Sequence, residues 1–506
     1  MSSRLQVTIA VIALASVLVG TALTGLSCAD RSIDSFVPPL KVMGDVESPI
    51  AVGELDESRF EIESVELREA TVRALSLDEL VQEAVPRSED FDVLLVGDDG
   101  RSAIIGGGDL SGSRVVFSAD YGWEAINREH PVSSNVKMLR EVVIIARGLF
   151  PGEGFSVMDT ESDLLHLSPG ELYRDGYLVR PRHVGSASVA GDSGELGADI
   201  FERERVIDLG QFTDLSDRDS VLVFGENGEV QGLRQDGSFL LGDHNVSYRD
   251  GEVSIEGVRG LVLDPPERMI TDVYHDAHRL LERDERVLLI LLDGFGYHTY
   301  LRAAEMGCTP FLASLPGPEM ALSVYPSVTV VNFTAALTGV TPDVSGVRAR
   351  GIRSAEVPTI FGLCQEMGWE AQAVLGPMGV IDLEIDPVLC VDADGDDSSD
   401  DEIRDAALAE MSHDHDLLLV HFKDIDRAGH TYGEMAGETL EAMRRIDGFV
   451  EELVGAWPGR VMIFADHGMH STGATAEGEK RGDHGFVIVQ DMITPYWELD
   501  GGRYRE

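Results

Sequence analysis

Three runs in the second half of the chain constrain its fold more than anything else in it. Residues 287–292, 417–422 and 460–464 are almost wholly apolar, each has the length of a buried strand, and each stops on a phrase rich in Asp, His and Gly. Stretches of helical texture, 358–367 and 439–453, lie between or beside them. Strands of this buried type alternating with helices predict an α/β unit built on a mostly parallel sheet covered by helices. Ligands gather at the carboxyl ends of strands in such sheets, which makes the polar phrases that end the runs the candidate site.

Ninety acidic residues against forty basic ones leave a net charge of −50 on 506 residues. That balance argues against nucleic-acid polymers as partners, because binding them without regard to sequence needs a cationic surface, and against anionic membranes. An anionic substrate would require a local inversion of charge, for which a bound cation is the usual source. The 43% apolar content excludes a disordered chain.

Residues 1–28 carry an apolar stretch, 7–26, behind Arg4, and read as an export signal or a single membrane or lipid anchor. Cys28 is the candidate for lipidation, although Gly25 stands where a lipoprotein site has Leu. The expected location is extracytoplasmic, secreted or anchored, with this segment the sole link to a membrane. Residues 29–150 form a β-rich domain of unknown role, with short strands broken by Gly and Asp turns. The phrase at 93–100 returns in related form at 221–228, so a repeat of the first unit is one reading of the second β-rich domain, 151–264. Phrases at 40–49 and 135–145 resemble the molybdopterin-binding fold of sulfite-oxidase-type proteins, but no cysteine lies there to ligate molybdenum. Pro265-Pro266 and an amphipathic stretch, 270–283, lead into the α/β unit at 286–506. Cys308, Cys364 and Cys390 are too few for a disulfide scaffold, leave room for one bridge outside the cell, and show no metal-ligand spacing.

The phrases after the strands carry the chemistry. Asp293 sits in a turn of glycines, Asp426 and His430 are four apart, Asp466 and His467 are adjacent, and His484 stands between glycines in front of a strand-like 486–489. Each alone is an ordinary turn residue or surface pair. Together with His413, His415, His421 and His470 they place seven of the fourteen histidines in one short segment rich in Asp. Mixed carboxylate and imidazole donors suit one or two divalent metal ions, with zinc favoured and manganese or iron able to use the same ligands. Thr329, in the phrase 325–333 ahead of a helix ending at Gly339, is the candidate nucleophile. A free threonine hydroxyl is weak at neutral pH, and coordination to a metal is the activation it needs.

Taken in order, these phrases resemble the alkaline phosphatase superfamily, closest to its nucleotide pyrophosphatase/phosphodiesterase and phosphonoacetate hydrolase branches. The likeness runs over about 286–497: Asp293 after the first strand, Thr-Pro-Phe-Leu-Ala-Ser-Leu at 309–315, Tyr-Pro-Ser-Val-Thr at 325–329, Pro342-x-x-Ser345-Gly346, Asp426-x-x-Gly429-His430, Asp466-His467-Gly468 and His484-Gly485. It implies an alkaline-phosphatase-like sheet with two metals. Asp426, His430 and His484 would hold one; Asp293, Asp466, His467 and the Thr329 oxygen would hold the other. Thr329 would attack phosphorus to give a phosphothreonine. Where the phosphodiesterase branch has Phe-Pro after its Thr and an Asn further on, this chain has Val330-Val331 and, in that neighbourhood, Arg348 and Arg350. An Arg facing the phosphate pairs best with a dianion, which suits monoesters or phosphonates.

The expectation is an exported hydrolase acting on a small phosphorylated substrate through a phosphodiester or pyrophosphate bond, with phosphomonoesters or phosphonates second. An exported binding protein with a vestigial metal domain is the alternative of another class. A sulfatase is disfavoured because Leu312 stands where that motif has Arg, and a phosphomutase because no cap-sized insertion separates Thr329 from Asp426. In the acidic run 392–397 Gly395 comes too early for a calcium loop, and a solvated loop ahead of a helix is expected.

Overall fold

The three apolar runs are neighbouring strands of one eight-stranded sheet. In the computed structural model, which describes residues 38–504 apart from 54–58, 68–69, 119, 150–153, 192–193, 252 and 477, its elements follow in this order. They are β1 (Arg268–Met269), α1 (Asp272–Leu281), β2 (Val287–Leu292), β3 (Glu319–Leu322), α2 (Thr329–Thr338), α3 (Ile360–Met367), β4 (Ala371–Leu375) and β5 (Val388–Leu389). Then come α4 (Asp400–Glu410), β6 (Leu417–Phe422), α5 (Asp424–Tyr432), α6 (Gly437–Ala456), β7 (Arg460–Phe464), α7 (Val489–Met492) and β8 (Ile493–Asp500). The strand order is β1-β3-β8-β7-β2-β6-β4-β5. β8 runs antiparallel to both neighbours and every other pairing is parallel. The sheet therefore begins at Arg268, ahead of the expected 286.

Both faces of the sheet are covered, which is why its central strands are almost wholly apolar. Leu288, Ile290 and Leu292 of β2 point to a core shared with α4 and α6, through Ile403, Met443, Ile446 and Val450. Val287, Leu289 and Leu291 point the other way, to Val273 of α1, Phe333 and Leu337 of α2 and Phe361 of α3. Each large apolar side chain so buried contributes about 1.5–3 kcal/mol relative to exposure. Cys308, Cys364 and Cys390 are buried in these two layers as free thiols, so the bridge considered from the sequence is not formed. Residues 486–489, expected as a strand, are instead a bend leading into α7.

Ahead of this sheet lie two β-rich units with the same topology. In the first, Leu40–Gly44 pairs antiparallel with Ile50–Val52 and parallel with Leu139–Ala146; the latter pairs antiparallel with Phe91–Gly97, which pairs with Ser102–Gly106. In the second, Phe155–Met158, Asp163–Leu167, Val258–Leu263, Val221–Gly225 and Val230–Gly232 take the corresponding places and directions. The related phrases at 93–100 and 221–228 fall on the same strand of each unit. Each unit adds an antiparallel sheet, whose leading hairpin is short in the first (Ile62–Leu67 with Ala70–Ser76) and long in the second (Tyr177–Gly191 with Gly194–Ile207).

The second unit packs directly on the eight-stranded sheet. Met158, Phe224 and Val262 share a core with Leu322, Val487, Val489 and Met492, with Tyr325 against its edge. The Val489 amide donates to Asp163 Oδ1 at 2.8 Å, and His298 Nε2 donates to the Thr160 carbonyl at 2.9 Å. The apolar run 7–26 and Cys28 lie outside the described residues. Among the described residues no helix is long and apolar enough to cross a membrane.

Candidate metal centre

The carboxyl ends of β2, β6 and β7 bring the predicted donors together. Asp293 follows β2, Asp426 lies in the first turn of α5 just after β6, and Asp466 and His467 follow β7. Gly294, with φ +74°, makes the close approach possible: a Cβ there would stand 2.9 Å from the Cα and Cβ of Asp426. Gly468 is as constrained, because its Cβ would fall 1.9 Å from the Gln490 carbonyl oxygen. Either substitution would push a strand end away from the helix packed beside it, α5 for Gly294 and α7 for Gly468.

Two groups of three result. In one, His430 Nε2 and His484 Nε2 each lie 3.5 Å from Asp426 Oδ1 and 3.2 Å from each other. In the other, His467 Nε2 lies 3.5 Å from both Asp293 Oδ1 and Asp466 Oδ2. The His467 and His484 rings stack at 3.7 Å and join the groups. Thr329, the first residue of α2, donates to Asp293 Oδ1 at 3.3 Å and stands 3.2 Å from His467 Nε2.

The donor set fits divalent metals on three counts. The Nδ1 atoms of His430, His467 and His484 donate to the carbonyls of Gly482, Gly468 and Ser327 at 2.7, 2.8 and 2.9 Å, which leaves each Nε2 lone pair facing inward. Buried Asp426 Oδ1 and Asp466 Oδ2 receive no hydrogen bond. Donors around a tetrahedral ion at 2.0–2.2 Å lie about 3.3–3.6 Å apart, close to the 3.2–3.5 Å separations above.

Without cations the site is electrostatically frustrated. Burial and the Asp293 charge push Asp466 up to about 8 and Asp426 up to about 6. Burial works against a charged His467, yet the surrounding Asp466, Asp293 and Asp426 lift it to about 9. Burial and the neighbouring His467 hold His484 well below its ordinary range. Burial likewise opposes the charge on Asp293, but the hydrogen bond from His421 and the nearby His421, His467 and Lys423 hold its carboxyl below the usual value.

A stability prediction follows from these shifts. Folded, metal-free protein keeps protons on Asp466 and His467 that the unfolded chain releases near 3.8 and 6.5. The state that binds more protons loses stability as pH rises. Lowered His421 and His484 act in the opposite sense only below about 6.5. Between pH 6.5 and 9 the melting temperature of chelated protein should therefore fall, and more steeply than that of metal-loaded protein, in which Asp400, raised by burial to about 7, still titrates. Melts across that window with and without chelator check this; a flat or rising curve for the chelated protein contradicts it.

Other predicted residues are placed differently. Arg350 reaches the centre, with Nη2 3.4 Å from His484 Nε2. Arg348 does not: both arginines are exposed, but Arg348 donates to the Asp343 carbonyl at 3.1 Å. His413 and His415 lie ahead of β6, at the opposite end of the sheet, beside Glu410. His470 donates to Asp491 at 2.7 Å. The acidic run 392–397 is an exposed loop before α4.

Three supporting residues carry no motif. His421 Nε2 donates to Asp293 Oδ2 at 3.0 Å and leaves Oδ1 free to face Thr329. Asn332 receives the Val324 amide at 2.8 Å and donates to the Val324 and Pro326 carbonyls, fixing the turn before Thr329. Asp491 Oδ2 accepts the Gly485 and Phe486 amides at 2.9 and 3.0 Å and so shapes the loop of His484. A lone His in an apolar strand was the single available sign for His421.

Residues 386–480, which hold Asp426, His430, Asp466 and His467, match the family model for type I phosphodiesterase / nucleotide pyrophosphatase. The resemblance is to this family. A 97-residue stretch is 33% identical to 2,3-bisphosphoglycerate-independent phosphoglycerate mutases of Listeria welshimeri and Listeria monocytogenes, covering 18% of this chain and 19% of theirs. The chain thus spans about a fifth of the length of the curated relatives it matches. Among solved structures, human ectonucleotide pyrophosphatase / phosphodiesterase 5 is 14% identical with a TM-score of 0.35, over 42% of this chain and 87% of that one. Phosphonoacetate hydrolase of Sinorhizobium meliloti is 19% identical with a TM-score of 0.32, over 39% and 59%. The phosphodiesterase-family match covers the D-x-x-G-H and D-H-G phrases and leaves Asp293, Thr329 and His484 to geometry.

Proposed function

We propose that the protein is an exported, metal-dependent phosphohydrolase that cleaves phosphodiester or pyrophosphate bonds of small substrates, with Thr329 as nucleophile. The observation that carries this reading is the Thr329 hydroxyl within hydrogen-bond reach of Asp293 and His467 of one three-residue donor group, whose His467 ring stacks on His484 of the other. Asp426, His430 and His484 would hold one ion, and Asp293, Asp466 and His467 with the Thr329 oxygen the other. Such a pair, zinc being the best fit to these donors and manganese or iron acceptable, supplies Lewis acidity and lowers the pKa of a bound hydroxyl or water.

The chain's own residues account for the rest. Asp293, oriented by His421, and His467 lie within reach of the Thr329 hydroxyl proton. Thr329 begins α2, and the positive end of a helix favours the phosphoryl anion. Attack of Thr329 Oγ on phosphorus expels the leaving oxygen and gives a phosphothreonine. Water entering from the vacated side cleaves it and restores the hydroxyl. Export is supported by the apolar run at 7–26 behind Arg4.

Arg350 decides between substrate classes. Its guanidinium beside His484 can pair with a dianionic phosphoryl group more strongly than with a singly charged diester. Arg350→Ala should cut kcat/KM for a nitrophenyl phosphomonoester about 10–100-fold, the scale of a charge-assisted hydrogen bond, and a diester less. Arg348→Ala should stay within about twofold, because its guanidinium is turned to the Asp343 carbonyl and not to the centre. Equal losses on both substrates from Arg350→Ala would remove it from substrate choice. Metal-loaded protein that turns over no phosphate ester would favour the binding-protein reading.

A further inference from the structure

At the end of the sheet away from the candidate centre, the turn between α4 and β6 gathers three more donors of metal-binding type. Glu410 is the last residue of α4, and His413 and His415 follow it. Glu410 Oε2 lies 2.8 Å from His415 Nε2 and 3.4 Å from His413 Nδ1, and the three donor atoms all fall within 4.8 Å of one another. Glu410 and His415 are largely covered, with 20% and 15% of their side chains exposed, while His413 is open to solvent. The reaction proposed above uses none of the three.

Two observations set this group apart from a surface ion pair. One is charge. The last turn of a helix carries the negative end of its dipole and favours a cation, yet α4 has no basic residue there and ends on a carboxylate. Among the described residues Glu410 forms ion pairs with these two histidines and with no Lys or Arg. Arg286, whose guanidinium reaches this turn, faces Asp414 instead, at 3.7 Å. A bound cation would offset the helix end and the carboxylate together. The other is rigidity. Arg286 donates to the carbonyls of His415 and His413 at 2.7 and 3.1 Å, and it lies 4.8 Å from the centre of the buried Trp457 ring. The Asp416 amide donates to the Glu370 carbonyl at 2.7 Å, and the Asp416 carbonyl accepts the Val287 amide at 2.8 Å. The donors therefore stand together before an ion arrives, and binding has little chain left to order.

We propose that Glu410, His413 and His415 form a further metal site, separate from the candidate centre, for a divalent d-block cation. Zinc is the best fit to two imidazoles and one carboxylate. Calcium and magnesium are excluded, because they take oxygen donors. Three protein donors leave the fourth position to water. The ion ties the end of α4 to the start of β6, beside the first residues of β2, and so braces the sheet from the end opposite the chemistry. Its three donors come from one short, half-exposed turn, so it binds more weakly than the ions of the centre and fills when free zinc is in excess. The site does not depend on the phosphohydrolase reading.

Calorimetric titration of the full-length protein with zinc tests this. Beyond the ions that the centre takes up tightly, wild-type protein should bind one more per chain in a weaker step, and calcium at the same concentrations should give no such step. His415→Gln and Glu410→Gln should each weaken that step by more than about 10–100-fold, since losing a ligand costs more than losing the outer partner of one. The double variant His413→Ala, His415→Ala should lose the step and keep the tight ones. His484→Ala should leave it unaltered, which separates it from the centre. A wild-type titration without the weaker step overturns the proposal, as does a step that survives in the double variant.

Discussion

Replacing Thr329 by alanine abolishes turnover of nitrophenyl phosphate esters and leaves the metal content unchanged. The expected loss is on the order of 10⁴- to 10⁶-fold in kcat, the range seen when a nucleophile is removed from an otherwise intact site. Metal should persist because each donor group keeps three side chains from elsewhere in the fold. Alanine also suits the first turn of α2, and the turn ahead of it stays tied down by Asn332. Steady-state kinetics with metal analysis of the same preparation decide the matter. Activity within tenfold of wild type would mean that Thr329 is not the attacking group and that water attacks directly.

His484→Ala should have an effect nearly as large on a different quantity, halving the metal content to one ion per chain. His484 contributes one of three donors to its group, and its Nδ1 is committed to the Ser327 carbonyl. Losing an outer partner of a ligand already costs roughly 10–100-fold in metal affinity, and losing the ligand costs more. The Asp293, Asp466 and His467 group stays whole in this variant, so the second ion should be retained. Titration with zinc or with cobalt as a spectroscopic stand-in reads the stoichiometry directly. Two ions bound at wild-type affinity would place His484 outside the coordination sphere.

The sheet was legible because both of its faces are covered: 287–292, 417–422 and 460–464 had to be almost wholly apolar, and the carboxylates cluster where the strands end. Asp293, Asp426 and Asp466 were found for that reason. Side chains that act across the sequence were not legible. His421 acts on a residue 128 positions away, and nothing local marks it. Arg348 and Arg350 are two apart in a loop, where no periodicity says which turns inward. Residues 486–489 had the composition of a strand, but Asp491 captures the Gly485 and Phe486 amides that a ladder would have used. The shared topology of the two amino-terminal units showed in the sequence as one matched phrase, because strand pairing constrains alternation far more than identity.

The contact between Asp163 and the Val489 amide, with Met158 and Phe224 beneath Val487 and Met492, has a consequence for anyone engineering this chain. The second β-rich unit, with no motif of its own, braces the segment that follows His484. Cutting the chain ahead of Arg268 to obtain a minimal catalyst would expose the apolar surface that unit covers and slacken the segment it braces, so the shortest useful fragment starts well upstream of the chemistry.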